Sequence, residues 1–333
     1  MEIALSFFPV LLFMAFLFQL DSFKLVRIKV VILCLLCGIL STAAGYFLNT
    51  FLGKWFAADF QFLSRYIAPF TEEILKSLLV FYLISKKKIG FAIDAAIYGF
   101  AIGAGFSLAE NIWYLLNTPP EFNALIWIIR GFGTAVMHGG CTALFAVLLI
   151  SGVNRPGKRL PAAVSGLLLA IFLHGAFNAF LFSPIVQTIF ISISLPVVMA
   201  IVFRQSNEKL QRWLEIEFFS EIELLNMIRK GEFTTTKAGQ FLISLKDRFA
   251  PEIIVDMYCY ISLYMELSIK AKRNLMLREN GFPVIMEEDI QSKLAELSQL
   301  RKQIGKVGEL SLAPLIRLNY RNLWKLTQLG NNQ

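Results

Sequence analysis

Histidine occurs only twice in this 333-residue chain, and cysteine only four times. Cys34 and Cys37 form a CxxC inside an apolar run, with no second pair to complete a zinc or redox site. They read as small packing residues of a helix. Cys141 and Cys259 match no pairing pattern, so no disulfide framework follows. Charge is scarce over the first 203 residues, which hold thirteen Lys/Arg and eight Asp/Glu, against nineteen and sixteen in the remainder. The net charge of +8 is not gathered into a basic stripe, and no RNA-binding motif is present. Nucleic acid is therefore not an expected partner. An HExxH metal motif is also missing.

Apolar side chains are abundant. Hydrophobic residues make up 56% of the chain, 31 of them Phe, and the mean hydropathy is +0.60. A soluble domain of this length rarely carries so much. Seven stretches are long enough to cross roughly 30 Å of hydrocarbon as helices, near 3–20, 30–52, 66–85, 92–116, 126–150, 160–182 and 184–203. The first lacks a basic leading region and a small-residue cleavage site, so it reads as a retained span. Lys24, Arg27 and Lys29 follow the first span, Lys86, Lys87 and Lys88 the third, and Arg155, Lys158 and Arg159 the fifth. Excess Lys and Arg mark cytoplasmic loops, which predicts an outer N-terminus, a cytoplasmic C-terminal region and a cytoplasmic-membrane location.

From residue 204 onward, charged and apolar residues alternate at helical spacing. Helices are predicted from Asn207 to Lys230, ending at Gly231, and from Pro251 to Asn280, ending at Gly281. The predicted fold class is all-α. A polytopic transmembrane bundle of about seven spans (1–203) precedes a helical cytoplasmic domain (204–333) that carries no recognisable catalytic motif.

Ionisable groups within a bilayer cost several kcal/mol unless paired or solvated, and they tend to mark function. The predicted spans hold eight: Glu72, Glu73, Lys76, Asp94, Glu110, Arg130, His138 and His174. A rise of about 1.5 Å per residue puts Glu72 roughly 10 Å, Glu110 about 9 Å and His174 about 12 Å below the outer surface. His138 falls at about 12 Å if Arg130 reaches the outer interface. Four helices thus supply one layer in the outer half of the membrane, while Asp94 lies away from it. Glu72 and Glu73 are adjacent, about 100° apart around a helix, with Lys76 one turn on. His174 is followed one turn later by Asn178, and His138 by Thr142. Glycines at 99, 103, 105, 131, 133, 139, 140 and 175 permit close helix approach around these groups.

Peptide hydrolysis needs a water, a base and support for a tetrahedral oxyanion. Glu72 or Glu73 suits the base, His138 or His174 suits holding the water or a metal, and Asn178 suits the oxyanion. Two His and one Glu also compose a common catalytic zinc set with an open position, here Glu110, His138 and His174. A divalent metal such as zinc and a metal-free site are both compatible with these residues. The same set would serve a proton- or cation-coupled transporter, although no inverted repeat or pair of broken helices is visible.

Four motifs carry a resemblance: EExxK from Glu72 to Lys76, FxxxEN from Phe106 to Asn111, a histidine on the next span at His138, and HxxxN from His174 to Asn178. In this order, over about residues 60–182, the chain resembles the PrsW family of intramembrane proteases, relatives of the CAAX prenyl endopeptidases. The resemblance implies an intramembrane endopeptidase, usually called a metalloprotease, with Glu72, Glu73, Glu110, His138, His174 and Asn178 at its site. It also implies a membrane-anchored substrate of the anti-sigma-factor type, cut near the outer face. The CAAX relatives carry His where this chain has Glu110.

Overall fold

The computed structural model describes residues 2–117, 124–153, 155, 157–284, 287–316 and 329. Among the described residues there are helices and turns and no strand. The chain divides into two compact units, Met1–Asn207 and Glu208–Gln333.

The first unit contains α1 (Glu2–Leu20), α2 (Ile28–Trp55), α3 (Ala68–Ser85), α4 (Ala92–Asn117), α5 (Ala135–Val153), α6 (Arg159–Asn178) and the start of α7 (Pro184–Arg229). Among the described residues, six helical segments are long and apolar enough to cross a membrane. The expected third span, α3, falls outside that set because its 18 residues include Glu72, Glu73 and Lys76. Two single turns of π-helix, Leu63–Ile67 and Ile129–Thr134, lead directly into α3 and α5. Such turns add a residue to the helical ladder and often lie beside functional groups. Here they precede the helices that carry Glu72 and His138.

Two boundaries differ from the sequence reading. The sixth helix ends at Asn178 rather than near 182, because Phe180 adopts a left-handed φ of 49° and Pro184 opens the next helix. The expected break near residue 203 is absent, since α7 continues without interruption from Pro184 to Arg229. No residue between Pro196 and Arg229 is a proline or glycine that would end it.

Helix α4 is the centre of the first unit and packs most extensively against α5 and α2. Small residues make this possible on both sides. A Cβ on Gly103 would stand 2.2 Å from the carbonyl oxygen of His138, and one on Gly105 would stand 2.1 Å from that of Leu35. The other ends are secured by polar caps. Asp94 accepts from the backbone N–H groups of Gly90 and Phe91 at 2.7 and 2.8 Å, and Tyr98 Oη accepts from the backbone N–H of Arg27 at 2.9 Å.

The second unit includes α8 (Lys237–Ser244), α9 (Pro251–Glu279) and α10 (Ile290–Leu312). Gly231 and Gly281 end the preceding helices with φ of +74°, a conformation glycine adopts without steric cost. The core gathers Met257, Tyr260, Ile261, Tyr264 and Leu267 of α9 with Ile290, Leu297 and Ile304 of α10. An ion network fastens α9 to α10 and to the segment just before it: Lys293 Nζ lies 2.6 Å from Glu266, and Lys270 Nζ lies 2.5 Å from Glu287.

These contacts give the second unit a pH dependence. Burial pushes the Glu266 carboxyl up, but hydrogen bonds from Lys293 and Lys270 outweigh it and hold the group below its ordinary range. Hydrogen bonds from Lys270 and Arg273 lower Glu287, and one from Lys293 lowers Asp289. Lys293 is raised by Asp289 and Glu266. Depressed carboxyls contribute stability above their unfolded values and lose it as pH falls through the folded ones. The raised lysine contributes below its unfolded value and loses it only at strongly alkaline pH. Exchange protection of α9 and α10 in the full chain is therefore expected to fall between about pH 5 and about pH 3. The drop should be two- to fivefold, the small effect of partly exposed pairs. Unchanged protection across that range would show that the network contributes nothing.

Candidate active site

Helices α2 to α6 and the two π turns enclose a cavity of about 720 Å³. Glu72, Glu110, Arg130, His138, His174 and Asn178 line it, beside an apolar wall that includes Tyr46, Phe47, Phe106 and Trp113. Glu73 and Lys76 do not line the cavity. They lie behind it, both fully buried. The adjacent glutamates therefore have different surroundings, as a separation of about 100° around the helix allows.

Glu72 faces the cavity. Its Oε1 accepts a hydrogen bond of 3.0 Å from Asn49 Nδ2 of α2, and its Oε2 stands 3.9 Å from His174 Nε2. Thr71 donates in turn to Asn49 Oδ1, so a short chain of side chains orients this carboxylate. Glu73 Oε1 is shared between two partners: Lys76 Nζ at 2.5 Å and the Nδ1 of His174 at 2.9 Å. The same Lys76 ammonium lies 3.2 Å from the Nδ1 of His138 and 4.8 Å from the centroid of the Phe106 ring. The two imidazoles meet edge to face, with centroids 4.6 Å apart.

On the other side of the cavity, Glu110 Oε2 lies 3.5 Å from His138 Nε2 and 3.1 Å from an Arg130 guanidinium nitrogen. Arg130 turns toward the cavity, stacks 3.6 Å above the Tyr114 ring and donates from Nε to Asn111 Oδ1 at 2.9 Å. A carboxylate within reach explains the direction: an arginine paired and stacked at a helix face gains more than one left beside hydrocarbon. Asn178 borders the cavity, and its Nδ2 donates to the Ser64 carbonyl at 3.0 Å, tying the end of α6 to the first π turn. Asn49, Tyr114 and Ser64 were not singled out from sequence. Only Asn49 had a signal, as a lone amide within the predicted second span.

The profile of the PrsW family intramembrane metalloproteases matches residues 26–204. That is more than half of the chain and takes in α2 to α6 with both π turns. The chain belongs to the PrsW family. It is accordingly a membrane protein, an intramembrane protease acting on membrane-protein substrates. No curated protein and no solved structure matches it.

The PrsW family carries the name metalloprotease, and a candidate metal site is present. Among the described residues, Glu72, His138 and His174 bring one donor atom each to within 4.8 Å of one another. Glu110, named with the two histidines in the sequence reading, is instead engaged by Arg130. The donor types suit zinc. Glu73 behind His174 also supplies the carboxylate–histidine pairing usual for a ligating imidazole. His138 has an ammonium in that position. An ammonium only donates, so it occupies the Nδ1 lone pair and leaves the ring proton on Nε2, the nitrogen that would have to bind the metal. The site thus fits a metal at Glu72 and His174 but not at His138.

Proposed function

We propose that this PrsW-family chain is a glutamate- and histidine-dependent endopeptidase with Glu72 as general base. The observation that carries this reading is the division between the two glutamates. Glu72 faces the cavity with only neutral groups at hydrogen-bond distance, while Glu73 is committed to Lys76 and His174. Glu110 is already engaged by Arg130, whose guanidinium nitrogen lies 3.1 Å from its Oε2.

In this mechanism a water sits between Glu72 and the Nε2 of His174. Glu72 removes one proton as the water oxygen bonds to the scissile carbonyl carbon. The carbonyl π pair moves to oxygen and forms the tetrahedral oxyanion. Collapse re-forms the C=O bond and breaks the C–N bond, and the proton held by Glu72 passes to the departing nitrogen. A carboxyl terminus and an amine result, and no proton or electron is left over. The cavity's apolar wall suits an extended, hydrophobic segment of a membrane-anchored substrate. An anti-sigma-factor-like protein is one such substrate.

The site is assigned to the outer half of the membrane, with the C-terminal unit in the cytoplasm. The arrangement of Lys and Arg supports this orientation. The loop 118–123, expected outside, lies beyond the described residues. A cysteine replacing Lys87 in a background lacking the native cysteines should be labelled only after the inner face is opened. Labelling from intact outer faces would reverse the orientation.

The test of function is reconstitution of the full chain in vesicles with single-span reporter proteins of varied transmembrane sequence. Cleavage within or beside the reporter's span, lost in Glu72→Gln, is the expected result. A parallel arm measures proton or cation flux across the same vesicles. Flux without cleavage would replace the protease reading by a transporter.

A further inference from the structure

The EExxK segment of α3 does more than place a base in the cavity, because the buried pair behind it touches both histidines from the rear. Glu73 and Lys76 are three residues apart on one helix face and joined at 2.5 Å. One end of the pair meets the Nδ1 of His174 at 2.9 Å, and the other meets the Nδ1 of His138 at 3.2 Å. A carboxylate only accepts and an ammonium only donates. The two ends therefore impose opposite requirements on chemically identical rings.

We infer that the Glu73–Lys76 pair fixes the two histidines in opposite tautomers, making His174 an acceptor and His138 a donor to the reacting peptide. Beside the Glu73 carboxylate, His174 carries its proton on Nδ1 and presents the Nε2 lone pair to the cavity, near Glu72 Oε2. It accepts the second hydrogen of the water and aligns the oxygen for attack. Beside the Lys76 ammonium, the Nδ1 of His138 is occupied as an acceptor, so its proton sits on Nε2 and points into the cavity. Its partner there is Glu110 Oε2 at 3.5 Å, too far for a strong hydrogen bond, which leaves this N–H to be taken by a substrate carbonyl oxygen. As that oxygen becomes an oxyanion the bond strengthens, the requirement for lowering the barrier. Lys76 reaches neither substrate nor water and is a positioning residue. Its place among Glu73, His138 and the Phe106 ring leaves it no view of the cavity.

This assignment rests on the protease reading for its chemistry, but its first test does not need cleavage. The chain has two histidines, so histidine-selective carbon-13 and nitrogen-15 labelling gives two rings, which solid-state NMR in vesicles reads directly. The expected wild-type spectrum has one ring in each neutral tautomer, with the Nε2–H signal absent from His138→Gln. In Lys76→Met the His138 ring should lose its fixed Nε2–H form while His174 keeps Nδ1–H, and Lys76→Arg should keep the wild-type pattern. Two rings in one tautomer in the wild-type protein would overturn the inference. So would a Lys76→Met spectrum unchanged at His138. If Lys76→Met does not fold, the wild-type spectrum still decides.

Cleavage of the reporter then separates donor from ligand. His138→Leu should lose about 10²- to 10³-fold in kcat with little change in KM, the usual effect of removing an oxyanion donor. His138→Gln, which restores an N–H, should recover at least a tenfold part of that loss. Glutamine as inactive as leucine would overturn the donor role. A wild-type chain that cleaves no reporter would remove the protease reading while leaving the tautomer result standing.

Discussion

Glu72→Gln is expected to lower reporter cleavage by about 10³-fold, within the range that a positioned general base contributes. The amide keeps the shape of the carboxylate and can still bond to Asn49, but it cannot hold the proton taken from water. Because Glu72 has no cationic partner at hydrogen-bond distance, this change leaves no charge stranded, and the protein should remain folded in the membrane at wild-type levels. Glu73→Gln should behave differently. It leaves Lys76 buried without its counter-charge, a loss on the order of 3–5 kcal/mol when one member of a buried pair is removed. Reduced amounts of folded protein should accompany its loss of activity. Cleavage rates normalised to folded protein, measured by thermal unfolding in detergent, separate the two cases. Near wild-type cleavage by Glu72→Gln would move the base to Glu110 or Glu73.

Gly103→Ala is expected to be nearly as damaging, although residue 103 touches no reacting atom. Its Cβ would stand 2.2 Å from the His138 carbonyl oxygen and 2.7 Å from Gly139 Cα, both backbone atoms that no rotamer change can move aside. Helix α5 must retreat from α4, and His138 retreats with it from Lys76 and Glu110. Overpacking of this kind costs about 1–3 kcal/mol. A displacement near 1 Å at a catalytic group can cost about 10²-fold in rate. Gly45→Ala is the control. Its new methyl would meet side-chain atoms at 3.5 Å or more, ordinary contact distances, so stability and cleavage should stay close to wild type. Equal behaviour of the two alanine variants would show that helix spacing at Gly103 does not set the site.

The sequence alone determined the helical segments, their order and the family, because those depend on local properties. Apolar runs long enough to span, glycines such as Gly231 and Gly281 at helix ends, and motifs on four successive helices are all readable along the chain. It also supplied most of the residues at the site, since an ionisable group in an apolar run stands out wherever it sits. Other features were not local. Whether Glu72 or Glu73 faces the cavity depends on how α3 is rotated against α2 and α6, and adjacent positions on a helix carry no label for that rotation. The turn of Arg130 toward the cavity depends on Glu110 and Tyr114 of another helix, which its own segment does not reveal. The donation from Asn178 to Ser64 joins residues 114 positions apart. The opposite surroundings of the two histidines arise in the same way, from a Glu–Lys pair that is ordinary on its own helix. Only the packing of α4 to α6 around α3, at distances that Gly103 allows, turns one end of that pair to each ring.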